Sequence, residues 1–149
     1  RFAACATSLI ERTHAQVIVS VAPTAAEMQA AEAIVSLCRH PLIHLGKTPL
    51  TGGQLKALFS RAALVLTNDT GPRHIAIALG RKVVTLFGPN NPAWTQTAYP
   101  DEIRIIGKGP CVPCDKPICK ATEHFCMESI TVPQVLEAVE RLLPGGRDE

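Results

Sequence analysis

The feature that most restricts what this chain can become is an alternation. Four short, mostly aliphatic and often β-branched runs occupy residues 16–21 (QVIVSV), 41–45 (PLIHL), 64–67 (LVLT) and 82–87 (KVVTLF), each bounded by turn residues. Runs of this length without an apolar–polar alternation read as strands buried on both faces. A fifth run, 103–106 (IRII), reads as a strand at a sheet edge. Helical periodicity fills the gaps, over residues 25–39, 52–60, 72–79 and 132–143. A further helix at the start of the chain places Phe2, Ala6, Leu9 and Ile10 on one face. Strand alternating with helix implies crossover connections, which build a parallel sheet covered on both sides. The expected fold class is α/β: a Rossmann-like, three-layer domain with a mostly parallel sheet.

Composition supports one folded domain over residues 1–149. That length can bury a sizeable core, and 46% hydrophobic with 19% charged residues is ordinary for a globular chain. A formal charge of +2 gives no footprint for nucleic acid or a membrane surface. No stretch approaches the roughly 20 apolar residues of a membrane span. The opening RFAACATSLIER has neither an initiating Met nor the order of a signal peptide, so the chain is expected to be part of something longer. Thr24 with Glu27, Thr51 with Gln54 and Thr131 with Gln134 have the spacing of capping boxes that start helices. The tail PGGRDE is expected to fray.

In a parallel sheet every strand-to-helix corner lies at the carboxyl ends of the strands, where ligands bind. Those corners are Ala22-Pro23-Thr24, Gly46-Lys47-Thr48, Asn68-Asp69-Thr70-Gly71 and Gly88-Pro89-Asn90-Asn91. Their Gly, Pro, Thr and Asn content suits a polar, hydroxylated or phosphorylated ligand. The third corner is the richest. Gly71 lets a ligand approach the backbone, and Pro72 has no N–H to leave unsatisfied in a first helical turn. The remaining amides of that turn point outward at the positive end of the helix dipole and make an anion site. Asp69 is the odd member, because a carboxylate repels phosphate; it fits an N-cap or an acceptor for sugar hydroxyls. His74 lies in the same turn, where the dipole disfavours its charged form. It can then donate one hydrogen bond while neutral. On residue types alone, plain capping and a solvated histidine explain the same corner.

The stretch HLGKTPLTGGQLKALFSRAALVLTNDTGPRHIAIALGRKVVTLFGPNNP closely resembles the lipopolysaccharide heptosyltransferases, glycosyltransferase family nine. The resemblance lies in D-T-G-x-x-H at the end of a strand, then A-x-A-L-G, a further strand and F-G-P-x-x-P. Here these are Asp69, Thr70, Gly71, His74, Ala76, Ala78, Leu79, Gly80, Phe87, Gly88, Pro89 and Pro92. The segment ITVPQVLEAVERLL resembles the family's closing helix, so the likeness covers roughly residues 1 to 143. The resemblance implies the C-terminal, donor-binding half of a GT-B glycosyltransferase. Its N-terminal acceptor domain, and the opening strand of this domain, are expected to lie outside the sequence. It further implies that Asp69, Thr70 and Gly71 hold the sugar and diphosphate of an ADP-heptose-like donor, assisted by His74. Glu27 matches the family's ribose-binding acid, although it also completes the Thr24 box. Lys47 and Thr48 either line the base pocket or belong to a solvated loop. No catalytic residue is assigned within the chain, since the carboxylate base belongs to the other domain. Transfer is expected to be inverting and to need no cofactor. The implied partners are an ADP-sugar and, through the other domain, a glycolipid acceptor. Nucleic acid is excluded, membrane association is at most peripheral, and the location is cytoplasmic, at the inner face of the membrane if anywhere on it.

Four of the six cysteines fall close together. CVPCDKPICKATEHFC spaces Cys111, Cys114, Cys119 and Cys126 as C-x2-C-x4-C-x6-C, with His124 nearby. Such thiolates suit a structural zinc site, and the same ligand set serves an iron–sulfur cluster; reduced thiols or opportunistic disulfides are the other readings. A zinc-bearing interaction module is therefore the alternative function. A dinucleotide oxidoreductase is disfavoured because no G-x-G-x-x-G follows a strand.

Overall fold

The computed structural model describes residues 1–48 and 50–143. The expectation for the tail PGGRDE lies outside the described residues. The chain forms two compact units, residues 1–55 and 56–143, with the boundary inside a helix.

The first unit begins with α1 (Phe2–Thr13), followed by β1 (Ile18–Val19), α2 (Ala25–Leu37), β2 (Ile43–His44) and the start of α3 (Gly52–Ser60). β1 and β2 pair in parallel, Ile18 with Ile43 and Val19 with His44. These strands are shorter than their apolar runs, and they are not buried on both faces: Ile18 and Ile43 are exposed. The buried face of α1 is also not the large-residue stripe. It consists of Ala3, Cys5, Ala6 and Thr7, while Phe2 is exposed. Small side chains allow α1 to lie close to α2. Thr7 is buried because its hydroxyl has partners, accepting from the Arg39 N–H at 3.2 Å and bonding Cys38 Sγ at 3.3 Å. Burial pushes the Cys5 thiol up, so it behaves as a small apolar group.

The second unit carries the longer sheet. β3 (Leu64–Asn68), β4 (Lys82–Phe87) and β5 (Glu102–Ile106) pair in parallel in that order, so β4 is central and β5 lies at an edge. α4 (Gly71–Ala78) covers β3 and β4, and α6 (Val132–Leu142) covers β4 and β5. The two helices take opposite faces, because Thr85 and Phe87 meet residues bound to α4 while Val84 and Leu86 alternate to the other side. Val83, Val84 and Phe87 are fully buried, and α6 adds Val135, Leu136, Ala138, Val139 and Leu142. The result is the expected α/β layering with parallel strands, except that hydrogen bonding divides the strands into a two-stranded and a three-stranded sheet.

Two of the three capping boxes form. Thr51 with Gln54 and Thr131 with Gln134 exchange both bonds. At α2 only half is made: Thr24 accepts from the Glu27 N–H at 3.3 Å, but the Glu27 carboxylate reaches past it to the Ala22 N–H at 2.8 Å. The periodicity missed a short α5 (Phe125–Glu128) and a 3₁₀ turn at Pro92–Thr95, both too brief to carry a repeating pattern.

Candidate functional site

The site is clearest at the β3–α4 corner. Because β3, β4 and β5 run in parallel, this corner and the turn after β4 share the carboxyl edge of one sheet. Thr70, not Asp69, is the N-cap of α4, and it makes no side-chain cap bond; its hydroxyl instead donates weakly to Asn68 O at 3.4 Å. Among the described residues the N–H groups of Thr70 and Gly71 have no hydrogen-bond partner, whereas the Arg73 N–H already donates to Thr70 O. Gly71 has no positive φ, and a Cβ built there meets nothing within 4 Å. Neither backbone strain nor a neighbouring atom therefore demands glycine. What a side chain there would occupy is the open space beside the two free amides. His74 is exposed in the same turn.

Beneath these amides lies a buried charge cluster that the residue pattern did not announce. Arg73 is 0% exposed, and its partners' side chains, Asp69 and Glu102, are 5% and 2% exposed. Arg73 donates through Nε and Nη2 to the two Glu102 oxygens at 2.6 and 3.0 Å, a bidentate fork. Nη1 donates to Asp69 Oδ1 and to Thr95 O, both at 2.9 Å. The guanidinium also stacks over the Phe87 ring, 5.1 Å from its centroid. Glu102 further accepts from Thr85 Oγ1 at 2.6 Å and Thr97 Oγ1 at 3.1 Å. Burial alone would raise the Glu102 pKa, but the hydrogen bonds from Arg73, Thr85 and Thr97 outweigh it and hold the carboxyl below its ordinary value. The hydrogen bond to Glu102 likewise raises Arg73 against the effect of its burial, so it stays charged.

Asp69 is thus turned inward. Thr95 Oγ1 lies 3.2 Å from each of its oxygens, and Asn90 Nδ2 donates to Oδ2 at 3.4 Å. Asp69 is paired with a buried guanidinium that it shares with Glu102, so the three groups together keep one net negative charge. Sequence reasoning found Asp69 and missed Arg73. The available signal was their i, i+4 spacing, acid before base, on the opening turn of a helix. Glu102 and Thr95 carried no local signal, since they join the cluster from 29 and 22 positions beyond Arg73.

The remaining candidates are dispersed. In the first unit Glu27 is exposed at the β1–α2 corner, one oxygen bonded to the Ala22 N–H. Lys47 pairs with Glu32 at 3.2 Å on an open surface, and Thr48 is exposed beside it, its N–H donating to Leu45 O. The cysteines are not gathered. Among the described residues no group of three or more His, Cys, Asp or Glu side chains could hold a metal ion. The Cys119 thiol faces its own turn, near Ala121 O and Glu123 O, and Cys126 is drawn onto α5. The loop itself is fixed against the end of β4: the N–H groups of Cys114 and Asp115 both donate to Pro89 O, and Asp115 Oδ1 accepts from the Asn91 N–H at 2.7 Å. An open cleft of about 560 Å³ borders β5, lined in part by Asn91, Gln96, Glu102, Arg104 and Arg141; it includes none of residues 69–74 but shares Glu102 with the charge cluster.

Comparison with known proteins agrees with the corner's motif. The Haemophilus influenzae lipopolysaccharide core heptosyltransferase OpsX is 41% identical over 80 residues, which is 53% of this chain and 22% of that protein. Pseudomonas aeruginosa lipopolysaccharide heptosyltransferase 1 is 37% identical over 67 residues, 45% of this chain and 19% of that one. The crystal structure of a family 9 glycosyl transferase from Veillonella parvula superposes with a TM-score of 0.77 at 28% identity, covering 95% of this chain and 40% of the other. E. coli ADP-heptose LPS heptosyltransferase II gives 0.73 at 26% identity with the same coverage. The chain thus spans about a fifth to two fifths of the length of these relatives. A model of glycosyltransferase family 9 (heptosyltransferase) matches residues 1–124, most of the sequence, and the chain belongs to that family.

Proposed function

We propose that this chain is the donor-binding part of a glycosyltransferase that moves a heptose or related sugar from a nucleoside-diphosphate carrier in lipopolysaccharide core assembly. The diphosphate is held at the start of α4. The support is the family, the heptosyltransferase names of the relatives, and the ADP-heptose named for one solved neighbour. The single observation that carries the reading is the pair of N–H groups at Thr70 and Gly71, without a partner among the described residues, on two exposed residues at the positive end of α4. In transfer, an acceptor hydroxyl attacks the anomeric carbon and the nucleoside diphosphate leaves with the bond electrons. Donors aimed at that developing charge lower the barrier. His74 adds a ring donor from the same turn. Glu27 is the proposed acceptor for a ligand hydroxyl, with its second oxygen unbonded among the described residues. The base and the glycolipid acceptor site are assigned to the remainder of the whole protein. The cytoplasmic face of the membrane is the proposed location, and among the described residues no helix is long and apolar enough to cross a membrane.

Calorimetric titration with ADP tests the reading through Gly71→Ala. The added methyl enters open space, so the melting temperature should hold or rise slightly, as expected for Gly to Ala near a helix start. ADP affinity should fall by about tenfold or more, as a methyl now stands beside the donors. Equal ADP affinity in both proteins would remove the corner from the site.

A further inference from the structure

We infer that Arg73 is a positioning residue for the diphosphate site, acting by pairing the carboxylate of Asp69, the residue just before the two free amides; this rests on the donor-site reading above. Asp69 immediately precedes the two free N–H groups, so an uncompensated carboxylate would oppose any anion they bind. Its geometry allows no easy escape. The side chain is 5% exposed, so neither water nor salt can screen it well, and Thr95 and Asn90 contribute only neutral donors. The one cation bonded to it is Arg73, from Nη1 at 2.9 Å. Arg73 is itself locked: the Glu102 fork, the Thr95 carbonyl and the Phe87 ring fix the guanidinium plane, and no part of the residue reaches solvent. A guanidinium so enclosed cannot swing out to touch a ligand. Its effect on the ligand passes through Asp69 and the first turn of α4. The arrangement also reduces the difficulty that a carboxylate stands in a phosphate-binding corner, because that carboxylate is paired with Arg73 while the amides of the next two residues stay free.

The test is a charge series titrated with ADP and followed by the amide signals of Thr70 and Gly71. In Arg73→Met the Asp69 charge is exposed, and ADP should bind about tenfold more weakly. Adding Asp69→Asn to that variant removes the offending charge, and affinity should return to within about threefold of the parent. A purely structural arginine would move ADP affinity and melting temperature together across the series, whereas here affinity should follow the charge at residue 69 whatever the melting temperature does. Asp69→Asn alone is isosteric, and it should bind ADP at least as tightly as the parent; should Arg73→Met fail to fold, this variant decides the matter. Parent-like ADP binding by folded Arg73→Met, absence of rescue, or a tenfold loss in Asp69→Asn each overturns the inference while leaving the donor site standing. Failure of the parent chain to respond to ADP at Thr70 and Gly71 would instead sink the donor-site reading, and this inference with it.

Discussion

At the scale of single residues, the corner divides into what a sequence shows and what it hides. Asp69, Thr70, Gly71 and His74 are legible because they are contiguous and their types match one local task. Which way Asp69 faces is not legible, because that depends on Arg73, Thr95 and Glu102 meeting in space. Glu102 shows the consequence most simply. Its native pKa is depressed, so it binds its proton less readily folded than unfolded, and the stability it provides is fully present above the unfolded value of about 4.3. That stability drains away as pH falls through the native value. Glu102→Gln should therefore be less stable than the parent at pH 7, with the gap narrowing below about pH 4 in melting curves taken across pH. A gap that stays constant to pH 3 would mean that Glu102 is not held as an anion.

At the scale of elements, the helices were the most readable part. Apolar periodicity located α2, α3, α4 and α6 to within about two residues, the usual uncertainty of helix ends. Capping chemistry set the starts of α2, α3 and α6. The Thr131 box is complete, so Thr131→Ala should cost about 1 kcal/mol and be visible in urea unfolding. The half-made box at α2 predicts that Glu27→Gln costs much less than that, because an amide oxygen can still accept from the Ala22 N–H; equal losses would restore the cap as the purpose of Glu27. On α1 the apolar face Phe2, Ala6, Leu9 and Ile10 holds only at Ala6, because close helix packing selected the small neighbours Ala3, Cys5 and Thr7 with it. The path of the cysteine loop was not legible either. Ligand spacing says nothing about where a loop is pinned, and here it is pinned by backbone bonds to Pro89 and by α5 lying against Gly107. A Cβ on Gly107 would collide with the Cys126 carbonyl, so Gly107→Ala should lose about 1–3 kcal/mol and shift the α5 amide signals.

At the scale of the whole chain, the alternation of strand and helix was enough to assign the α/β class, and the parallel pairings of both sheets agree with it. It was not enough to foresee that the strands pair as a two-stranded and a three-stranded sheet, because that depends on the hydrogen bonds that strands make and not on their number. The likeness to two solved family members extends over 95% of the chain, so the architecture is shared well beyond the motif that first suggested it. The proposed function rests on nucleoside-diphosphate binding at the start of α4, and amide chemical-shift mapping of the entire chain with ADP asks this directly. The expected result is a saturable response centred on Thr70, Gly71 and His74. No response there at millimolar ADP, or one confined to the cleft bordered by Arg104 and Arg141, would contradict the placement of the donor at the start of α4.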